Sequence, residues 1–285
     1  MEGTMISQAL FVGIDRYQPR DERVRDLGGC VGDMELMYST LLALQPDLED
    51  RSRTLVDEAA TTRNLADEIE RLISSLAPGQ VGFLYYAGHG GEVPNTRRTA
   101  DDPEARDQIL VPHDFSRREP LLDDMFHAWF SRIPEGAKLA AVFDSCHSGG
   151  MPRAPMSMHE AEKHRAAQWE NRSIGFIPRA IYTPEELADL ERLKRGLVVE
   201  RSDARFVHLA AAQDDELAWE RQFGDRRHGI FTYYLCQGLG DLGGTGTPAE
   251  LMERVTAAIH AERGDQTPRL TGHGDFFHRG LFELE

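Results

Sequence analysis

Two apolar stretches that each end in glycines constrain the fold of this chain more than any other feature. The first, residues 84–91, reads LYYAGHGG and carries His89, and the second, residues 142–150, reads VFDSCHSGG and carries Cys146. Each pattern is typical of a strand that stops at a chemically reactive residue. In an open α/β sheet, ligands bind outside the carboxyl ends of the strands, so we expect His89 and Cys146 to face each other there. Cys146 follows His89 by 57 residues, which leaves room for a helical crossover between parallel strands.

The rest of the chain alternates between strand-like and helix-like patterns. Short apolar runs predict strands, and apolar residues at helical spacing predict the helices between them. This alternation predicts an α/β fold with a mainly parallel central sheet and helices on both faces. The predicted strands are Ala9–Asp15, Thr54–Val56, Val81–Ala87, Ile109–Val111, Lys138–Phe143 and Arg205–Ala211. The predicted helices are Gly32–Leu44, a helix capped by Thr61 or Thr62 that runs to Leu76, Pro120–Ile133, Gly229–Leu239 and Pro248–Ala261.

Composition limits the class of protein. At 285 residues, with 40% hydrophobic and 28% charged residues, the chain suits one large α/β domain, with or without a substantial insertion. The formal net charge of −16 argues against nucleic acid and against an anionic membrane as partners. The acidic surface either attracts a basic substrate or only keeps the protein soluble. Three cysteines form no disulfide framework and no stretch reaches membrane-spanning length, so we expect a cytoplasmic protein.

Cys146 and His89 have the chemistry of a nucleophile and its base. A cysteine attacks a carbonyl carbon as the thiolate, and a nearby histidine takes the thiol proton and later gives it to the leaving amine. The backbone N–H groups of Gly90 and Cys146 are candidates for an oxyanion hole, since glycine lets the backbone approach the reacting atom. His147 is adjacent to the nucleophile and should point elsewhere. The alternatives are a buried inert cysteine and a structural histidine.

The two motifs resemble those of the caspase-like cysteine peptidases, most closely the metacaspase and orthocaspase branch. YAGHGG is similar to the histidine motif of that branch, and DSCHSGG is similar to its nucleophile motif. True caspases carry a Gln-Ala-Cys signature, which this chain lacks. The resemblance implies the three-layer caspase–hemoglobinase fold and a cysteine endopeptidase that works with a His–Cys dyad and needs no organic cofactor.

The same resemblance implies an acidic specificity pocket, because metacaspases accept arginine or lysine before the cleaved bond. The segment Cys30–Asp33 is similar to the part of the family that supplies one pocket carboxylate, at Asp33, and Asp144 matches the second. Cys30 and Ala87 are expected to bind substrate in the same pocket. Two carboxylates bind a guanidinium through charge-assisted, bidentate contacts. The alternatives are a helix N-terminal acid at Asp33 and a structural hydrogen bond at Asp144.

Many metacaspases require calcium at a carboxylate site outside the active centre. The residues at or near the matching positions are Glu104, Asp107, Asp123 and Asp124. Carboxylate oxygens suit Ca²⁺. The match is incomplete, because Gln108 and Arg153 stand where acidic residues are expected. The resemblance therefore implies at most a weak calcium site, and a solvated acidic face explains these residues equally well.

The resemblance covers most of the chain and implies a single peptidase domain, 1–285, in three parts. Residues 5–150 match the large-subunit-like part, residues 203–285 match the small-subunit-like part, and residues 151–202 lie where the family carries a linker. This linker is interrupted by prolines and rich in arginine. We expect cleavage within Arg153–Arg201, by the protein itself or by an upstream activating protease. The alternative is a surface insertion with one helix at Pro184–Leu193.

The sequence thus predicts a zymogen-like cysteine endopeptidase that cleaves protein substrates after arginine or lysine. For a prokaryotic member, the resemblance implies a role in regulated death or defence. Two other functions stay open, a caspase-like scaffold without activity and another cysteine hydrolase such as an amidase. The intact His89–Cys146 pair argues against the scaffold, and the pair of pocket carboxylates argues against the amidase.

Overall fold

Strands and helices alternate along the computed structural model, which describes residues 5–18, 21–96, 106–146, 169–197 and 205–283. The strands are β1 (Ile6–Gly13), β2 (Ser52–Val56), β3 (Val81–Ala87), β4 (Gly90–Pro94), β5 (Arg106–Leu110), β6 (Leu121–Leu122), β7 (Lys138–Asp144), β8 (Glu170–Asn171), β9 (Ser173–Phe176), β10 (Phe206–Ala210), β11 (Trp219–Phe223), β12 (Arg226–Gly229) and β13 (Arg269–Gly272). The α-helices are α1 (Cys30–Leu44), α2 (Thr62–Ser74), α3 (Asp123–Phe130), α4 (Pro184–Gly196), α5 (Ile230–Asp241) and α6 (Pro248–Glu262). Short 3-10 helices cover Pro46–Arg51, Asp57–Ala59, Arg179–Ile181 and Gly274–Phe276.

A six-stranded sheet with the order β13-β10-β7-β3-β1-β2 forms the centre of the protein. Neighbouring strands pair in parallel, except that β13 is antiparallel to β10 at one edge. Every residue of β3 and of β7 is buried. Parallel strands that are covered on both faces read as continuous apolar runs, which is why the sequence pattern finds these two strands so clearly.

Helices cover both faces of the central sheet. On one face α1 packs against β1 and α5, and the ring of Phe11 lies 5.1 Å from that of Tyr38 in an edge-to-face contact. On the other face α2 and α3 pack together, and the ring of Phe126 lies 5.5 Å from that of Phe143. Successive side chains of a strand point to opposite faces, so each buried strand contributes to both apolar layers. The predicted α/β class and its three-layer arrangement are confirmed.

The element boundaries differ from the prediction where neighbouring strands decide them. Thr61 caps α2 as predicted, since its hydroxyl accepts the N–H of Asn64 at 3.2 Å. In contrast, α3 begins only at Asp123, because Leu121 and Leu122 pair with β5 as the short strand β6. The sequence pattern does not predict β4, β8, β9, β11, β12 or β13, because these strands are short and lack apolar alternation.

Two smaller sheets lie beside the carboxyl edge of the central sheet. Their strand orders are β12-β11-β8 and β6-β5-β4-β9. Strands β8 and β9 belong to the predicted linker, residues 151–202, so part of this linker pairs with strands on either side of the edge. The helix expected at Pro184–Leu193 is present as α4 and continues to Gly196. Within the described ranges, no helix is both long and apolar enough to cross a membrane.

Candidate active site

His89 and Cys146 lie at the same edge of the central sheet. Strands β3 and β7 are parallel neighbours, and their last residues, Ala87 and Asp144, are partners in register. His89 and Cys146 each follow two residues later, and the N–H of Gly88 donates to the carbonyl of Asp144 at 3.3 Å between them. The parallel pairing thus brings together two residues that are far apart in the sequence, as the motifs predicted. His147, which was expected to point elsewhere, lies outside the described residues.

The imidazole of His89 is buried and neutral. Its Nε2 lies 2.8 Å from the carbonyl of Arg25, and its ring stacks obliquely on Tyr17 at 5.0 Å. Burial lowers the pKa of His89 to about 4, against the opposing effects of the backbone of Arg25 and of Arg172. Its Nδ1 is buried and makes no hydrogen bond within the described residues. A neutral imidazole with one nitrogen unpaired is able to accept a proton at neutral pH.

Close packing around the histidine motif requires a glycine at position 88. A Cβ there would lie 2.6 Å from the hydroxyl oxygen of Tyr86. That hydroxyl donates to the carbonyl of His89 at 2.9 Å, and the N–H of His89 donates to the hydroxyl of Tyr17 at 2.8 Å. The two buried tyrosines therefore fix the backbone of His89 from both sides.

The backbone of Cys146 and Gly90 forms a pair of convergent donors. The N–H of Gly90 donates to the carbonyl oxygen of Arg172 at 2.9 Å, and the N–H of Cys146 donates to the same oxygen at 3.3 Å. Two N–H groups directed at one carbonyl oxygen have the geometry of an oxyanion hole. The Cys146 thiol is buried, and its Sγ donates to the carbonyl of Glu216 at 3.2 Å. The structure thus places both predicted oxyanion-hole donors on one target.

Arg172 fills the predicted acidic pocket. Its side chain is fully buried, and three carboxylates surround the guanidinium. Nη2 lies 2.5 Å from Asp33 Oδ2 and 3.1 Å from Glu220 Oε2, and Nη1 lies 3.1 Å from Asp144 Oδ1. Nε also donates to Glu220 Oε2, at 3.2 Å. Every nitrogen of the guanidinium therefore contacts a carboxylate.

The pocket carboxylates are held in place by further donors. The N–H of Gly229 donates to Asp33 Oδ2 at 2.8 Å, and His228 Nδ1 lies 2.7 Å from Asp33 Oδ1. The hydroxyl and the N–H of Thr232 donate to Asp144 Oδ2 at 2.5 and 3.1 Å. Burial raises the pKa values of Asp144 and Glu220, and the charge of Arg172 opposes this rise. The pocket is therefore built to hold a cation.

Cys30 and Ala87 border this pocket in different ways. Cys30 Sγ lies 4.0 Å from Glu220 Oε2, and its N–H donates to Asp15 at 2.7 Å. Burial raises the pKa of the Cys30 thiol well above its usual range, so this cysteine is a neutral wall residue. Ala87 contributes backbone, since its carbonyl accepts the N–H of Ile14 at 3.0 Å beside Asp144.

Sequence reasoning missed Arg172 and Glu220. Arg172 is one of several basic residues in an irregular insertion, and no local pattern distinguishes it. Glu220 lies in β11, whose pairing with β8 and β12 comes from tertiary contacts rather than from apolar alternation. The stretch 206–220 is similar to the small-subunit-like part of the family, but that similarity gave no role for Glu220.

Two of the predicted calcium residues, Asp107 and Asp124, lie beside a buried lysine. Lys194 of α4 is 2% exposed, and its Nζ lies 2.5 Å from Asp107 Oδ2 and 3.0 Å from Asn95 Oδ1. Asp124 Oδ2 is 3.7 Å from the same ammonium. Burial, together with the charges of Asp124 and Asp107, raises the pKa of neighbouring Asp123 to about 6.

This arrangement does not fit a calcium ion while Lys194 is in place, because its ammonium occupies the position beside Asp107 and Asp124. In the part of the chain that the structure describes, no group of His, Cys, Asp and Glu side chains is arranged to hold a metal. Glu104, the fourth residue of the expected site, lies outside that part.

Comparisons with known proteins agree with this geometry. A profile of the metacaspase, peptidase C14 domain matches residues 7–155. Metacaspase-3 of Trypanosoma cruzi (strain CL Brener) is 36% identical over 157 residues, which cover 52% of this chain and 42% of that protein. Metacaspase-7 of Arabidopsis thaliana is 33% identical over 152 residues, which cover 52% of this chain and 36% of that protein. The crystal structure of protein GSU0716 from Geobacter sulfurreducens has a TM-score of 0.70 at 22% identity, covering 98% of each chain.

These similarities differ in what they show. The similarity to GSU0716, at 22% identity, shows the fold over nearly the whole chain. The chain spans less than half the length of the two curated relatives, at 42% and 36%. The profile match covers more than half of the 285 residues and includes both His89 and Cys146. The chain therefore belongs to the metacaspase family of C14 peptidases.

Proposed function

We propose that this protein is a cysteine endopeptidase that cleaves polypeptides after basic residues, arginine above all. One observation carries the proposal. The guanidinium of Arg172 lies among three buried carboxylates. The carbonyl oxygen of the same residue accepts hydrogen bonds from the N–H groups of Gly90 and Cys146. A residue held in this way presents its carbonyl beside the nucleophile and its side chain in a pocket that selects for positive charge.

The proposed reaction uses Cys146 and His89 as a dyad. Neutral His89 takes the thiol proton, and the sulfur attacks the carbonyl carbon of the residue in the pocket. The N–H groups of Gly90 and Cys146 stabilise the oxyanion, and His89 then protonates the leaving amine. Water hydrolyses the resulting thioester. Because burial lowers the pKa of His89 to about 4, the base stays neutral until the pH falls towards that value.

The charge of the pocket argues against the specificity of a true caspase. An aspartate side chain would add a fourth carboxylate to Asp33, Asp144 and Glu220, and like charges in a buried site repel strongly. A lysine would supply one cationic nitrogen instead of three. We therefore infer that arginine is the preferred residue before the cleaved bond and that lysine is the weaker alternative.

The occupied pocket supports control by processing within residues 151–202. An external arginine cannot enter while Arg172 stays in place. We infer a single peptidase domain whose large- and small-subunit-like parts, 5–150 and 203–285, work together. The linker between them is cut by the protein itself or by an upstream protease.

Three free cysteines support a reducing compartment such as the cytoplasm. The role in prokaryotic death or defence stays a prediction from the resemblance.

The test compares fluorogenic peptides that differ only in the residue before the cleaved bond. We expect hydrolysis after arginine, slower hydrolysis after lysine and none after aspartate. The Cys146→Ala and His89→Ala variants should lose this activity while their circular dichroism spectra stay unchanged. Cys236→Ala is the matched control, because Cys236 is a buried cysteine of α5 that has no role in the proposed dyad. Faster turnover of aspartyl peptides, or activity that survives Cys146→Ala, would contradict the proposal and favour the scaffold or amidase alternatives.

A further inference from the structure

We infer that the Arg172–Ser173 peptide bond is the processing site of this protein, cut by Cys146 of the same chain, and that the cut opens the specificity pocket. The inference rests on the proposed function and names the bond and its consequence. It starts from two contacts of the same residue. The side chain of Arg172 lies among Asp33, Asp144 and Glu220, and its carbonyl oxygen accepts hydrogen bonds from the two oxyanion-hole donors.

The backbone around Arg172 is held as an extended peptide. Before Arg172, β8 pairs antiparallel with β11, and after it β9 pairs in parallel with β4, with Ser173 beside Gly90. The N–H of Arg172 itself donates to the carbonyl of Ala218 at 3.1 Å. Peptide substrates are commonly bound by such strand addition, with the backbone giving affinity and a pocket giving specificity. The carbonyl of Arg172 is therefore already placed beside the residue that carries the nucleophile.

Other described arginines of the linker are placed differently. Arg179 begins a 3-10 helix, and Arg192 and Arg195 lie on the exposed side of α4, where they pair with Asp189 and Glu191. Helical backbone donates its N–H groups within the helix, so these bonds cannot extend through a cleft without local unfolding. Among the described arginines of the linker, Arg172 is the one whose side chain lies in the pocket and whose backbone is extended.

The cleavage balances with water as the only co-reactant. The proton of the Cys146 thiol moves to His89, and sulfur attacks the carbonyl carbon of Arg172. The C–N bond to Ser173 breaks, and the nitrogen takes the proton from His89 to become a new N-terminus. Water then attacks the thioester, which releases the carboxylate of Arg172 and restores the thiol.

The intact segment excludes any other arginine from the pocket. The side chain of Arg172 has no exposed surface. The packing is tight, since a Cβ on Gly229 would lie 2.7 Å from Nη1 of Arg172. After the cut, the new carboxylate of Arg172 adds negative charge to a region that already holds three buried carboxylates, which weakens its binding.

The two sides of the cut are anchored unequally. On the side before the cut, the described contacts besides those of Arg172 itself are the two-residue strand β8, the ion pair of Glu170 with Arg227 at 3.3 Å, and the ring of Trp169 near Arg221 and Arg263. On the side after it, β9 pairs with β4 and the N–H of Ile177 donates to Glu92, while Lys194 of α4 is buried against Asp107. We therefore expect residues 169–172 to leave the pocket and residues 173–197 to stay bound.

Mass spectrometry of the full-length protein tests the bond. We expect the wild type to produce a fragment that begins at Ser173, at a rate that does not change on dilution because the cut is intramolecular. Cys146→Ala should stay intact. Arg172→Gln should remove this fragment, and Arg192→Gln, an exposed arginine of α4, is the matched control that should not.

The outcomes separate this inference from the proposed function. A wild type that hydrolyses arginyl peptides yet is never cut after Arg172 overturns the inference and leaves the proposed function standing. Failure of every variant to hydrolyse arginyl peptides overturns the proposed function. A cut that persists in Cys146→Ala, or one that slows on dilution, shows that another molecule does the cutting. If Arg172→Gln fails to fold, the fragment ends of the wild type still decide the site.

Opening of the pocket is tested without catalysis. In the Cys146→Ala background, a fluorescent peptide that ends in arginine should not bind to the intact chain, because Arg172 blocks the pocket. The double variant Cys146→Ala with Arg172→Gln should bind the same peptide, as measured by fluorescence anisotropy. Equal binding by both variants would show that Arg172 does not control access.

Discussion

Under the proposed function, Glu220 is the pocket residue expected to distinguish arginine from lysine. It contacts both Nε and Nη2 of Arg172, at 3.2 and 3.1 Å, and these contacts depend on the fork of a guanidinium. A lysine places methylene groups where Nε lies. Glu220 would then be a buried carboxylate whose remaining contacts include Gly28 at 3.3 Å and Arg227 at 3.5 Å.

We predict that Glu220→Gln reduces kcat/KM for arginyl peptides about 10- to 100-fold, the effect of losing hydrogen bonds to a charged group. Hydrolysis after lysine should fall less, so the ratio of kcat/KM for arginyl peptides to that for lysyl peptides should decrease. Glu35→Gln is the control, because Glu35 is an exposed acid of α1 that pairs with Arg226. An unchanged ratio of arginine to lysine hydrolysis in Glu220→Gln would contradict this assignment.

At the residue scale, the sequence identified what its motifs carry and missed what tertiary contacts supply. His89, Cys146, Asp33 and Asp144 could be named as candidates because each lies in a recognisable local segment. Arg172 could not be found in this way, since its role depends on strand pairing between the linker and both sides of the site. Resemblance to a family predicts the pocket carboxylates, but it does not predict that an arginine of the same chain lies between them.

Helix α4 is attached to the rest of the protein through a buried ion pair. The ammonium of Lys194 lies 2.5 Å from Asp107, and Arg117 and Arg118 contact Glu186 and Asp189 on the same helix at 3.5 and 2.8 Å. These partly exposed pairs contribute less than the buried one, because removing one partner of a buried pair leaves an uncompensated charge. Lys194 is therefore the main electrostatic anchor among the described contacts of this helix.

We predict that Lys194→Gln lowers the free energy of unfolding by about 3–5 kcal/mol, the usual cost of breaking a buried pair. Calcium should raise the Tm of this variant, because its carboxylates then lack a counter-charge, and should leave the Tm and activity of the wild type unchanged. Thermal unfolding with and without calcium measures both effects. Arg195→Gln, at an exposed neighbouring position, is the control. Calcium activation of the wild type would contradict the view that Lys194 serves as the internal cation.

At the element scale, strands that are buried on both faces were predicted well, and the short outer strands were not. Strands β3 and β7 were predicted almost residue for residue, because both faces are buried and the sequence is continuously apolar. Strands β8 and β11 were missed, since a two-residue strand and one with polar residues lack the period of a half-buried strand. These outer strands form only because a neighbour offers backbone partners, and those partners are what hold Arg172.

At the scale of the whole molecule, the proposed cut falls between two halves of one sheet. Strands β1, β2, β3 and β7 precede Arg172 in the chain, and β10 and β13 follow it. Across this division β7 and β10 pair in parallel from Leu139 beside Phe206 to Phe143 beside Ala210. Leu139 and Leu209 in this seam are fully buried. Separating the halves would expose the apolar centre of the protein and a row of unpaired backbone groups.

We therefore predict that the protein cut after Arg172 stays one particle. Its fragments should elute together in size-exclusion chromatography and separate only in denaturant, and calorimetry should show a single unfolding transition for the cut and the intact protein. The uncut Cys146→Ala variant is the reference for both measurements. Separation of the fragments under native conditions would mean that the contacts between β7 and β10 do not hold the halves together. In that case processing would dismantle the pocket instead of opening it, because Asp33 and Asp144 lie before the cut and Glu220 lies after it.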